Sequence, residues 1–81
     1  MYQLVLTTCP DEIVAKNIAQ HLVTEKLAAC VNIVPNITSI YCWQDELHCD
    51  NEVQLLIKTD ENIFAALSDR INQLHPYTRS T

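Results

Sequence analysis

The chain of 81 residues contains no glycine at all. That absence excludes the glycine-rich loops that cradle phosphates. It also predicts that every turn is built from Asn, Asp, Pro or Ser. Basic residues are scarce too, with five Lys and Arg against ten acids, a net charge of −5 and no basic block. A nucleic-acid partner is not expected from such a surface. No apolar run approaches the roughly 20 residues that span a bilayer, and residues 1–3 enter the first strand without a basic-then-apolar leader. The expectation is a soluble, cytoplasmic protein with no membrane partner. The four cysteines, Cys9, Cys30, Cys42 and Cys49, never fall in C-x-x-C spacing, which removes zinc ribbons and thioredoxin-type motifs. Catalytic inventories are missing as well: there is no Ser-His-acid set, Walker loop or HExxH. Asp45 and Glu46 read as a solvated corner, and no enzyme is expected.

What is present is dominated by residues 27–59. LAACVNIVPNITSIYCW, a polar break at Gln44-Asp45-Glu46, and LHCDNEVQLLIKT form the pattern of a β-hairpin. In the second run Leu47, Cys49, Val53, Leu55 and Ile57 share one parity, predicted to be buried. His48, Asp50, Glu52, Gln54 and Lys58 take the other. Pro35 and Asn36 predict a bulge or bend in the first arm, since Pro cannot donate to a ladder. A turn centred between Asp45 and Glu46 places Cys42 opposite Cys49, although a cytoplasmic setting favours thiols over a disulfide. Residues 30–43 in extended form span roughly 45 Å, whereas a domain of this size has a radius of gyration of about 12 Å. The tip, with Ile40, Tyr41 and Trp43, therefore projects beyond one subunit, and a second copy is expected to cover it. A chain this short also buries only about 60 to 65 % of its unfolded surface, so oligomerisation is a ready remedy for marginal stability.

Around the hairpin, residues 2–8 (YQLVLTT) read as a short apolar strand suited to a central position. Cys9-Pro10-Asp11-Glu12 opens a helix, with Pro at its first position and acids at the positive end of the dipole. Ala15, Ile18, Ala19 and Leu22 form its apolar face. Thr59-Asp60 caps a second helix with the stripe Phe64, Leu67, Ile71 and Leu74, which ends before His75-Pro76. The order β-α-β-β-α, in one domain over residues 1–81, defines an α+β, ferredoxin-like sandwich. A final strand is missing, for only residues 76–81 remain.

Several stretches, in order along the chain, resemble the CutA family of divalent-cation tolerance proteins. They are T-T-C-P-D-E at residues 7–12, E-K-L-A-A-C-V-N at 25–32, T-S-I-Y-C-W at 38–43, E-V-Q-L-L-I-K-T at 52–59 and L-H-P-Y at 74–77. The resemblance implies a ferredoxin-like fold in a tight homotrimer like that of the PII signalling proteins. It also implies copper or other divalent-metal binding, a role in metal tolerance and, in animals, an association with acetylcholinesterase anchoring. No catalytic reaction comes with it. Two departures stand out. Family chains continue past L-H-P-Y into an acidic Pro-Glu segment and another strand, where this one reads Thr78-Arg79-Ser80-Thr81. The cysteine discussed as a ligand in some members falls at Thr7.

Cys9 and His75 are the candidate metal ligands. Thiolate and imidazole suit copper, and the ends of strand one and helix two can meet at one end of such a sheet. Their ordinary roles are those of a helix-start residue and a helix C-terminal partner of the dipole. Tyr41, Trp43, Glu52, Lys58 and Tyr77 are the candidates for an inter-subunit cleft, where rings with a polar tip are favoured. His21 and His48 read as solvent-facing. No cofactor is required, and copper or another divalent cation is the candidate ligand. Two functions compete: a metal-tolerance homotrimer that binds divalent metal weakly, and a PII-like signalling or scaffold trimer whose clefts receive a small anion or a partner protein.

Overall fold

A computed structural model describes residues 1–75. Its elements are β1 (Tyr2–Cys9), α1 (Glu12–Thr24), β2 (Cys30–Trp43), β3 (Glu46–Asp60), a single 3-10 turn (Glu61–Ile63) and α2 (Phe64–Leu74). This is the β-α-β-β-α order of a ferredoxin-like domain. Residues 76–81, judged too few for a final strand, lie outside the described residues.

The strands form one antiparallel sheet in the order β1-β3-β2. The centre is β3, the strand whose Val53, Leu55 and Ile57 are all buried, and β1 lies at an edge among the described residues. The central position expected for β1 needs a strand on its other side, and residues 76–81 lie outside the described ones. β1 is apolar on both faces: Val5 packs against the core while Leu4 and Leu6 remain 60 % and 56 % exposed on the other side.

Both helices pack on one face. Ala15, Ile18 and Leu22 of α1 and Leu67 and Ile71 of α2 meet Cys9, Val53, Leu55 and Ile57 there. The apolar stripes are those that helical periodicity predicts, except that Phe64 is exposed because the 3-10 turn still governs its position. Asp11, not Pro10, begins α1: its carboxylate accepts from the Val14 amide at 2.9 Å, leaving Pro10 outside the helix. Asp60 caps the 3-10 turn by accepting from the Asn62 amide, so α2 starts later than the sequence pattern indicates. Its end before Pro76 is as expected, with His75 already extended at ψ 135°.

The missing glycine is felt at four residues in the left-handed region: Lys26 (φ 62°), Asn36 (φ 59°), Gln44 (φ 50°) and Asp45 (φ 63°). Asn and Asp tolerate this region, but Lys and Gln are not the residues expected there. Lys26 ends α1 in a Schellman motif. Its amide donates to the Val23 carbonyl at 3.1 Å, and the Leu27 amide donates to Leu22 at 2.9 Å. The buried Thr59 hydroxyl donates to the Leu27 carbonyl at 2.7 Å, pinning this loop to β3.

Gln44 and Asp45 form the two-residue turn of the hairpin, both with positive φ as in a type I′ turn. Trp43 then pairs with Glu46, Tyr41 with His48 and Cys42 with Leu47. The predicted Cys42–Cys49 pair is thereby corrected, because the turn is centred one residue earlier and Cys49 faces Ile40. The Pro35–Asn36 bulge is present: two residues of β2 oppose one of β3 between the pairs Val34–Gln54 and Ile37–Glu52.

The molecule measures 40 × 22 × 22 Å, with a Cα radius of gyration of 13.3 Å. Burial on β3 begins only at Val53, and the helices do not cover the outer arm. Leu47, at 78 % exposed, and Cys49 have the expected parity but not the expected burial.

Candidate functional site

Two places collect the candidate residues. At one end of the sheet, α2 delivers His75 to the end of β1, where its Nε2 lies 3.0 Å from the Thr8 carbonyl oxygen. Because a carbonyl only accepts, Nε2 carries the proton in this contact. The adjacent Cys9 is buried beneath α1 and α2. The two candidate ligands are thus neighbours through Thr8, as the order of elements anticipates. Among the described residues, no three His, Cys, Asp or Glu side chains gather into a metal-binding group.

The second place is the helix-free face of the sheet. Cross-strand partners share a face and successive residues alternate, so the register assigns sides directly. Tyr2, Leu4, Leu6, Val34, Leu56 and Lys58 lie on the face away from the helices. Beyond the bulge the same face carries Ile37, Ser39, Tyr41 and Trp43 from β2 and Glu46, His48, Asp50 and Glu52 from β3. All four described cleft candidates, Tyr41, Trp43, Glu52 and Lys58, therefore share one side. Tyr77 lies outside the described residues.

They do not share one site within a chain. Trp43 pairs with Glu46, and Lys58 lies twelve residues further along β3 (58 − 46), roughly 40 Å at about 3.3 Å per residue. Lys58 instead borders an open cleft of about 430 Å³ with Tyr2, Leu4 and Ala29.

At the tip, the Tyr41 ring stacks on His48 with centroids 5.4 Å apart and planes 16° from parallel. The Tyr41 hydroxyl donates to the Asp50 carboxylate. His48 Nε2 lies 4.0 Å from a Glu46 carboxylate oxygen. His48 is therefore not simply solvent-facing, and Asp50 joins the candidates as the residue that fixes the Tyr41 hydroxyl. The hairpin register is the signal that finds both, and it depends on the position of the turn.

The Asn62 amide bonded to Asp60 at the end of β3 holds that carboxyl below its ordinary value, and a second perturbed pair joins the end of α1 to α2. The Arg70 guanidinium donates to Glu25 from Nε at 2.9 Å and from Nη2 at 2.8 Å. These hydrogen bonds hold the Glu25 carboxyl below the usual carboxylate range and raise Arg70 in turn. His21, on the same helix as Glu25, bonds the Asn17 carbonyl through Nδ1 at 2.8 Å and takes no part in either candidate site.

A ferredoxin-like domain with an exposed sheet face and a projecting hairpin arm defines the class, a small α+β protein. The particular family follows from comparison with known proteins. The profile of the CutA1 divalent ion tolerance protein family matches residues 3–81, and the chain belongs to that family. The divalent-cation tolerance protein CutA of Thermus thermophilus is 55 % identical over 78 residues, covering 96 % of this chain and 76 % of its own. Human protein CutA is 50 % identical over 70 residues, and the match covers 86 % of this chain but only 39 % of the human one. Among solved structures, the Thermus thermophilus protein superposes with a TM-score of 0.90 at 54 % identity, over 98 % of this chain and 77 % of that one. A structure described as the periplasmic divalent cation tolerance protein CutA from Archaeoglobus fulgidus gives a TM-score of 0.88 at 35 % identity, over 98 % of this chain and 76 % of that one. None of the described helices is long and apolar enough to cross a membrane.

Proposed function

We propose that this chain serves in divalent-cation tolerance as a homotrimer that binds a divalent metal such as copper weakly, in the cytoplasm. The observation that carries the assembly is the helix-free face. Leu4, Leu6 and Trp43, the last 59 % exposed, share it with Tyr41 and Val34 on a molecule of only 81 residues. Large exposed apolar side chains gathered on one face mark an interaction surface, and here nothing within the described chain covers them. The metal reading rests on the contact of His75 with the Thr8 carbonyl, next to Cys9 in the chain, and on the tolerance role named in the relatives.

Light scattering tests the assembly. A folded monomer at micromolar concentration contradicts it, and Leu4→Glu with Leu6→Glu is expected to break the trimer. Calorimetric titration of the metal-free protein with Cu²⁺ tests the metal. Binding at micromolar levels that is lost in His75→Ala supports it, and no heat of binding in the intact protein refutes it.

One observation favours a second reading, a PII-like scaffold whose clefts receive a small anion or a partner protein. Lys58 borders a cleft on the helix-free face, while no group of three His, Cys, Asp or Glu side chains forms among the described residues. Partners captured equally well by the protein and by its Tyr41→Ala and Lys58→Ala variants count against that reading.

A further inference from the structure

The other face of the arm has a different chemistry. Register pairs Ile40 with Cys49 and Cys42 with Leu47, so these four side chains occupy the helix-side face beyond the end of the helices. They form a quadrilateral, with two thiols on one diagonal and two aliphatic chains on the other. Both thiols are exposed and unbridged, and Ile40 is 68 % exposed. The carboxylates of Glu46 and Asp50 belong to the opposite face.

Diagonal neighbours in an antiparallel pair stand about 7–8 Å apart, their Cβ atoms somewhat less. A disulfide requires Cβ atoms roughly 3.5–4.5 Å apart, which this register does not offer. A single ion between the sulfurs closes the gap. Two metal–sulfur bonds of about 2.3 Å placed in line hold sulfurs some 4.6 Å apart. We propose that Cys42 and Cys49 form a two-coordinate site for a soft monovalent cation of the copper(I) or silver(I) type.

On binding, two S–H bonds break and two metal–sulfur bonds form. Two protons pass to solvent, the ion keeps its oxidation state, and the bis-thiolate complex carries one negative charge. Thiolates select soft ions. Ile40 and Leu47 supply no third or fourth donor, so the tetrahedral shell that Zn²⁺ requires is not available. The site is separate from Cys9 and His75 and does not depend on them.

The test uses the intact, reduced protein and Ag⁺, which needs no reductant. Reaction with a chromogenic disulfide is expected to show two fast thiols, and one Ag⁺ per chain is expected to protect both while one Zn²⁺ protects neither. Cys42→Ser and Cys49→Ser should each weaken Ag⁺ binding by about a hundredfold or more, since disturbing even the outer partner of a metal ligand costs roughly 10–100-fold. Cys30→Ser should leave it unchanged. Blocking the two fast thiols of the unmutated protein with a reversible methylthio cap should abolish binding, and this arm stands if a variant misfolds. Slow thiols in the intact protein, protection by equimolar Zn²⁺, a need for two Ag⁺ per chain, Ag⁺-linked chains, or unchanged affinity in either serine variant overturns the site.

Discussion

Lys26 is a direct measure of what the absence of glycine costs this fold. It stands at the position after the C-cap of α1 with φ 62°, inside a closed Schellman motif. For a residue with a Cβ this conformation costs about 1–2 kcal/mol. Glycine removes that cost but carries extra freedom in the unfolded chain, roughly 0.5–1 kcal/mol against alanine. Lys26→Gly is therefore expected to stabilise the protein by about 0.5–1 kcal/mol relative to Lys26→Ala. Both variants lose the lysine charge beside the negative end of the helix dipole, worth about 0.3–1 kcal/mol, so their difference isolates the backbone. For a domain of this size 1 kcal/mol moves the melting midpoint by about 4–8 °C. Urea unfolding followed by circular dichroism, at one fixed protein concentration, reads the difference without an assembly term. Equal midpoints for the glycine and alanine variants, or a lower one for glycine, would refute the argument that Lys26 is strained.

Three further outcomes follow from the same structure. Leu55→Ala, at a position with no solvent exposure, should cost about 2–5 kcal/mol in denaturant unfolding, because the cavity forms where β3 meets both helices. Thr59→Val should cost about 1–3 kcal/mol by leaving the Leu27 carbonyl without its buried donor, with the loss visible as faster amide exchange in the loop after α1. Glu25 has a depressed carboxyl, so its pairing with Arg70 contributes fully above the ordinary carboxylate range and is lost as pH falls through the folded-state value. Glu25→Gln should flatten the acid limb of a stability–pH curve below about pH 5 and leave its shape near neutrality unaltered.

Much of this architecture is legible from the residues because the hydrophobic periods are clean. The helix stripes, the hairpin and the Pro35–Asn36 bulge each leave a local mark, and the approach of His75 to β1 follows from element order alone. The hairpin register does not. Moving the turn by one residue shifts each cross-strand partner by two, and a shift of two keeps every side chain on its own face. Parity therefore cannot tell Cys42–Leu47 from Cys42–Cys49; only the backbone of Gln44 and Asp45 can. The stacking of Tyr41 on His48 was hidden by the same ambiguity.

The single extra residue at Pro35–Asn36 separates two properties that a straight ladder would tie together. Were Pro35 and Asn36 both laddered straight, with no bulge, the inner register would pair Cys42 with Glu46 and Tyr41 with Leu47, mixing sulfur with carboxylate and ring with aliphatic chain. With it, one side of the blade is aromatic and acidic and the other is thiol and aliphatic. Deleting Asn36 would leave every outer pair intact while removing the local bend. Where the blade points and what each side offers are thus set by different residues, and either can be altered without disturbing the other.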